Sequence, residues 1–172
     1  MNAKRQERLQ ALLDHDESFL MQGFCLAGID EAGRGPLAGP VVAACVIMLK
    51  APVVPWVDYS KSLSEMRRET VYDDIMSTAL FVGTGWVDAG EIDRINILQA
   101  TMSAMKQAAA GAKADVYLID AVRGLQLDGR EEVLIRGDSR SYAIAAASIV
   151  AKVSRDRHMR LMHEQYPQYH FL

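Results

Sequence analysis

The stretch FCLAGIDEAGRGPLAGPVVAACVIML, Phe24 to Leu49, holds two apolar runs divided by a segment that can be neither helix nor sheet. FCLAGI reads as a short buried strand closing on the acid pair Asp30-Glu31. EAGRGPLAGP follows, with three glycines and two prolines in ten residues. Glycine favours unusual backbone angles and proline withholds an N–H, so this segment is a loop. VVAACVIML then reads as a second strand, rich in β-branched residues.

Outward from this pair, the chain alternates strands with helices. Residues 3–20 predict a helix with Leu9, Leu12, Leu13 and Leu20 on one side, ended by Gly23. APVVPWVDYSKSLS is a Pro-punctuated surface connection, and Ser64 begins a helix with Val71, Ile75 and Ala79 spaced for a core face. ALFVGTGWVD is a short strand, and Asp93 to Ala110 a long helix with Ile97, Ala100, Ala104 and Ala108 on one stripe. DVYLID is a strand closing on Asp120, and EEVLIRGD a strand-like run closing on Asp138. Residues 142–164 form an Ala-rich helix with high intrinsic propensity, its AIAAAS run small enough to pack closely on a sheet. The pattern implies a mixed sheet with helices against it, the α/β class.

Composition narrows the function. The 172 residues are 50% hydrophobic and 24% charged, which is globular and suits a single domain over residues 1–172. A net charge of -3 excludes a uniformly basic coat for nucleic acid but not a local basic face. The longest apolar stretch, Leu37 to Leu49, is broken by Gly39 and Pro40 and falls short of the roughly 18 residues of a membrane span. The first twenty residues mix both charge signs, unlike a signal peptide. Cys25 and Cys45 lie in apolar runs without a CxxC pair, so they are expected to be buried thiols in a reducing cytoplasm. The expected working form is a cytoplasmic monomer away from membranes.

The chemistry concentrates in carboxylates. Three strand-like segments end in acid, at Asp30 with Glu31, at Asp120 and at Asp138. Parallel neighbours would gather such residues at the carboxyl edge of the sheet, where α/β proteins place their sites. Like charges there repel unless a cation sits between them, and a hard divalent ion with oxygen ligands does this. Each acid alone could equally be a turn former or helix cap, and Asp138 could complement the dipole of the helix that follows. Gly33-Arg34-Gly35 directly after the acid pair would let backbone N–H groups and a guanidinium address phosphate or sugar oxygens. The alternative is a tight loop with a solvated Arg.

AGIDEAGRGPLAGPVVAA resembles the signature opening of ribonuclease HII, the type 2 ribonuclease H family. The likeness continues in VDYSKSLSE, in LID at 118–120, in RGDSRSYAIAAASIVAKVSRD and in the closing YPQYHF. It implies a ribonuclease H-like fold, a five-stranded mixed sheet flanked by helices. It implies an endonuclease that cuts the RNA strand of RNA–DNA hybrids and incises at ribonucleotides in duplex DNA, leaving 5′-phosphate and 3′-hydroxyl ends. It implies Mg²⁺ or Mn²⁺, two ions per site, with Asp30, Glu31, Asp120 and Asp138 as catalytic metal ligands. Gly33, Arg34 and Gly35 would face the ribose 2′-hydroxyl, the group that separates RNA from DNA. Two departures stand out. The family's Asp-Ser-Lys reads Tyr59-Ser60-Lys61, with Asp58 one place earlier, and the chain stops at Leu172, before the family's Gly-Tyr-Gly segment. A shortened, non-catalytic hybrid-binding form and an exonuclease of the same fold are the rival readings.

Arg136 to Arg160 holds six Lys and Arg against two Asp. Ser148, Lys152 and Arg155 fall on one side of a helix, suited either to tracking phosphates or to a solvated face. Lys61 and Lys152 are the substrate-binding candidates, and Arg155-Asp156 reads as a surface ion pair. His15, His158, His163 and His170 lack metal-ligand spacing and are expected at the surface, while Trp56 and Trp86 are expected to pack. Ser141 and Ser148 have no His-Asp partner in sequence, which disfavours a serine nucleophile.

Overall fold

The computed structural model describes residues 3–57 and 63–171. Helix α1 (Ala3–Leu20) leads into strand β1 (Leu26–Ala32), which turns back through residues 33–40 into β2 (Val41–Ile47). After α2 (Glu65–Thr78) come β3 (Phe81–Val87), α3 (Ala89–Ile95) and α4 (Ile97–Ala109). Strands β4 (Val116–Asp120) and β5 (Arg130–Leu134) precede a 3-10 turn at Gly137–Ser139 and the long helix α5 (Tyr142–Gln165). The five strands make one sheet in the order β3-β2-β1-β4-β5. β1, β2 and β3 pair antiparallel, whereas β1, β4 and β5 pair parallel. The expected five-stranded mixed sheet flanked by helices is therefore present. Among the described residues no helix is long and apolar enough to cross a membrane.

Two apolar layers hold the helices to the sheet. On one face Ile29, Val41, Ala43 and Cys45 meet Ala100, Ala104, Met105 and Ala108 of α4. On the other, Ala44 and Val46 meet the alanines of α5 and Val71 and Ile75 of α2. The α5 alanines allow a close approach, and Gly28 completes it: a Cβ there would lie 2.1 Å from the Ala143 carbonyl carbon. Helix α5 thus rests on the backbone of β1, and its register against the acid-bearing strand is fixed by van der Waals contact.

The N-terminus of α5 has two caps. Ser141 accepts from the Ile144 N–H. Asp16, only 3% exposed, reaches across from α1 and accepts from the Ala143 N–H at 2.9 Å and the Ser141 hydroxyl at 3.1 Å. A carboxylate at this end of a helix also complements the dipole. Along the other flank of α5, Glu69 of α2 pairs with Arg157 and Arg160, and Asp156 with Arg68.

Several expectations need correcting. The helix drawn from Asp93 to Ala110 is two helices, divided at Asn96. Asn96 has φ 69° and caps α4, accepting from the Leu98 and Gln99 N–H groups. An Asn can take this left-handed angle and cap the next helix, so apolar periodicity runs through a break. Asp138 does not end a strand: β5 stops at Leu134, and left-handed Arg136 turns the chain into the 3-10 turn. The connection after β2 is not wholly superficial, since Val54 and Val57 are buried. Cys45 is buried but Cys25 is partly exposed, and both are free thiols. His15, His158 and His163 are half-buried rather than surface groups, and only His170 is exposed. Trp86 is partly exposed with His158 edge-on, while Trp56 packs between Arg5 and Arg67. Tyr59, Ser60 and Lys61 lie outside the described residues.

Candidate active site

Parallel pairing of β1 with β4 ends at Ile29 opposite Ile119. The next residues, Asp30 and Asp120, therefore stand at the carboxyl ends of adjacent strands and, by the two-residue period, on the same face of the sheet. That face carries α5. Asp120 turns one oxygen, Oδ1, onto the Gly137 N–H at 2.7 Å, which ties the end of β4 to the turn bearing Asp138. The four acids Asp30, Glu31, Asp120 and Asp138 line one cleft of about 360 Å³, together with Gly33, Arg34 and Gly35 from the loop and Ser148, Lys152 and Arg155 from α5.

The cleft is electrostatically strained. Asp30 is 5% exposed, and its carboxyl is held well above the usual range by burial, then by the charges of Glu31, Asp120 and Asp138. The Glu31 N–H donated to Asp30 Oδ1 at 2.7 Å opposes this only in part. Burial likewise pushes Glu31 up to about 6, against the pull of Arg34, whose Nη1 lies 3.4 Å from Glu31 Oε1. The second oxygen of Glu31, Oε2, is buried without a hydrogen-bond partner.

An all-carboxylate set with a buried unpartnered oxygen has the donor chemistry of a hard divalent cation. The four acids are not, however, gathered around a point. Among the described residues no three His, Cys, Asp or Glu side chains are disposed to hold an ion as they stand. One oxygen each of Asp30 and Asp120 is engaged by a backbone N–H, from Glu31 and from Gly137.

One of the helix residues departs from its expected role. Lys152 and Ser148 do reach the cleft, but the Lys152 ammonium is bonded to Asp156 at 2.5 Å. Arg155 is not a surface partner of Asp156. It is 6% exposed and donates to two loop carbonyls, from Nε to Pro40 O at 3.0 Å and from Nη2 to Ala38 O at 2.7 Å. Ser141 belongs to the α5 cap: its hydroxyl donates to Asp16, and His15 Nδ1 bonds the other oxygen of that carboxylate rather than the serine, an order that gives the hydroxyl no histidine base.

Two groups had no signal in the sequence. Asp120 and Asp138 also border a second depression, of about 570 Å³, with Arg8 of α1 and Arg136. Arg8 is remote in sequence and sits in no motif. The capping role of Asp16 was equally hidden, because a helix cap normally comes from the residue just before the helix.

Comparison with known proteins accords with this geometry. The ribonuclease HII family profile matches residues 27–171. Ribonuclease HII of Geotalea uraniireducens is 49% identical over 168 residues, spanning 96% of this chain and 78% of that protein. Among solved structures, the ribonuclease HII of Archaeoglobus fulgidus, in its complex with PCNA, superposes with a TM-score of 0.74 at 25% identity, over 83% of this chain and 78% of that one. Bst-RNase HIII in complex with Mn²⁺ shares the fold at a TM-score of 0.65 and 21% identity, over 82% of this chain and 55% of that one. The chain belongs to the ribonuclease HII family, and it is a ribonuclease H, an enzyme of the class that acts on RNA–DNA hybrids.

Proposed function

We propose that this chain hydrolyses the RNA strand of RNA–DNA hybrids endonucleolytically and also incises at ribonucleotides embedded in duplex DNA. Asp30, Glu31, Asp120 and Asp138 would hold Mg²⁺ or Mn²⁺, two ions per site. The observation that carries this reading is the shared carboxylate wall in which Glu31 Oε2 is buried and unpartnered. Such a wall is costly by itself and is relieved by cations. The Mn²⁺ complex of Bst-RNase HIII, on the same fold, supports the choice of ion. When bound, such ions supply a lowered pKa for the attacking water and charge neutralisation at the departing 3′-oxygen.

The chain's own groups bind and orient. The absence of side chains at Gly33 and Gly35 lets the loop backbone come close to a ribose, and Arg34 offers a fork of donors to the 2′-hydroxyl and nearby backbone oxygens. Lys152 at the cleft wall would meet a backbone phosphate, which competes with Asp156 for its charge. Lys61 is assigned the same role from sequence alone. One copy of the chain carries every group named, so a monomer suffices. No side-chain nucleophile is required, and the products carry 5′-phosphate and 3′-hydroxyl ends.

The test uses two substrates with Mg²⁺: an RNA–DNA hybrid and a DNA duplex with one internal ribonucleotide, each with free and with blocked ends. Both should be cut by the wild-type chain whether or not the ends are blocked, and Asp30→Asn should cut about a thousandfold more slowly. Cleavage by Asp30→Asn at the wild-type rate removes the site from the reading. Dependence on a free end makes the enzyme an exonuclease. Hybrid binding that is equal with and without Mg²⁺, with no cleavage, makes the chain a non-catalytic hybrid-binding form.

A further inference from the structure

The loop of residues 33–40 leaves the end of β1 and returns to β2, and its tip is exposed from Arg34 to Leu37. Its neck is narrow. A Cβ on Gly33 would lie 2.4 Å from Pro40 O and 2.6 Å from Arg155 Nε, and Gly33 has φ +110°. The entry of the loop, its exit and the Arg155 side chain therefore cross at one point, which only a residue without a Cβ can occupy.

Arg155 is an unusual group to find there. It is buried, and the bonds described for its guanidinium go to the neutral carbonyls of Ala38 and Pro40, while the adjacent Asp156 pairs with Lys152 and Arg68. Burial lowers its proton affinity, so the site is kept at an electrostatic cost. The planar fork is what suits it: two N–H groups on different nitrogens reach carbonyls two residues apart in the chain. Gly39 closes the contact from the other side, facing Met159 and Arg155 Nη2.

We propose that Arg155 is a positioning residue, a clamp from α5 that fixes the neck of the 33–40 loop and so sets where Gly33, Arg34 and Gly35 stand relative to the carboxylates. This rests on the reading of that loop as substrate-binding. Helix α5 is itself seated on β1 at Gly28, so a single rigid path runs from the acid-bearing strand through α5 to the loop. Loss of the clamp frees the loop while the carboxylates keep their places. The consequence is weaker substrate binding with little change in the chemical step.

The test takes Arg155→Met, which keeps bulk without charge, and Arg155→Lys, which keeps charge without the fork. Two readouts are needed: amide hydrogen exchange of residues 33–39 against that of α5 and the sheet, and steady-state kinetics on an RNA–DNA hybrid with Mg²⁺. In Arg155→Met, exchange in the loop should rise about tenfold or more while the sheet keeps wild-type protection, and KM should rise about tenfold with kcat within about threefold. Arg155→Lys should fall between. If Arg155→Met does not fold, Arg155→Lys decides on the same criteria. Wild-type loop exchange in a folded variant overturns the clamp. Faster loop exchange with unchanged KM overturns the positioning role and the substrate role of the loop together, leaving the carboxylate site untouched.

Discussion

Asp30 and Asp120 stand side by side, each one residue past Ile29 and Ile119, the last pair joined between two parallel strands. The pairing register brings them together, and Asp30 is buried beside the charges of Glu31, Asp120 and Asp138. Replacing one with its neutral isostere should therefore have opposite effects on activity and stability. Asp30→Asn is expected to cost roughly 4 kcal/mol of transition-state stabilisation, about a thousandfold in cleavage rate. In metal-free buffer the same change should raise the urea midpoint, because it removes a buried charge from a group of like charges. A metal-free protein destabilised by Asp30→Asn would show that the aspartate is a structural acid.

Glu31 makes the cluster sensitive to pH. Its carboxyl titrates near 6 in the folded chain against 4.5 for an ordinary glutamate, chiefly because it is buried. The folded state then binds more protons than the unfolded state between these values, so stability falls as pH rises through the window. The difference is about 2 kcal/mol at most, present in full below pH 4.5 and lost above 6. Urea titrations of metal-free protein at pH 4.5 and 7.5 should show it, and Glu31→Gln should flatten it. Mg²⁺ at pH 7.5 should restore stability to the wild type more than to the variant. Parallel pH profiles for the two proteins would disprove the coupling.

How far the sequence disclosed this site depends on distance along the chain. Asp30, Glu31 and the glycine loop are contiguous, and an apolar run ending in acid is visible without coordinates. The strand closing on Asp120 is legible for the same reason, but its parallel pairing with β1 is not, since register depends on the packing of the whole sheet. Asp138 reaches the cleft by a route its sequence does not suggest: it lies on a turn held by Asp120, not at a strand end. Arg155 could not be read correctly. Helical spacing puts it on the face shared with Lys152, but only the path of the 33–40 loop shows that its head is turned inward. The break at Asn96 escaped because apolar spacing continues across it.

Asp16 links α1 to the start of α5, and with it to the site. Asp16→Ala should leave the Ala143 N–H and the Ser141 hydroxyl without their buried acceptor, at a cost of about 2–4 kcal/mol. Thermal unfolding should register this as a lowered midpoint with the fold retained. Hybrid cleavage by the remaining folded protein should fall only slightly, as Asp16 touches none of the cleft residues. A loss of activity out of proportion to the loss of stability would mean that α1 contributes to the site directly, with Arg8 the nearest reason.

Gly33 and Gly35 flank Arg34 yet make opposite demands. At Gly33 a side chain collides with Pro40 O and Arg155 and meets a backbone angle that disfavours it, so Gly33→Ala should lower stability and activity together. At Gly35 a Cβ meets nothing within 4 Å, and the backbone imposes no such angle. Gly35→Ala should therefore unfold within about 0.5 kcal/mol of the wild type. If the loop backbone approaches a ribose, the added methyl still obstructs it, and KM for a hybrid should rise roughly tenfold at unchanged stability. Since the free protein has room for that methyl, any loss of affinity belongs to the bound state. A Gly35→Ala enzyme with wild-type KM would remove Gly35 from the substrate contact and leave recognition to Arg34 and the residues of α5.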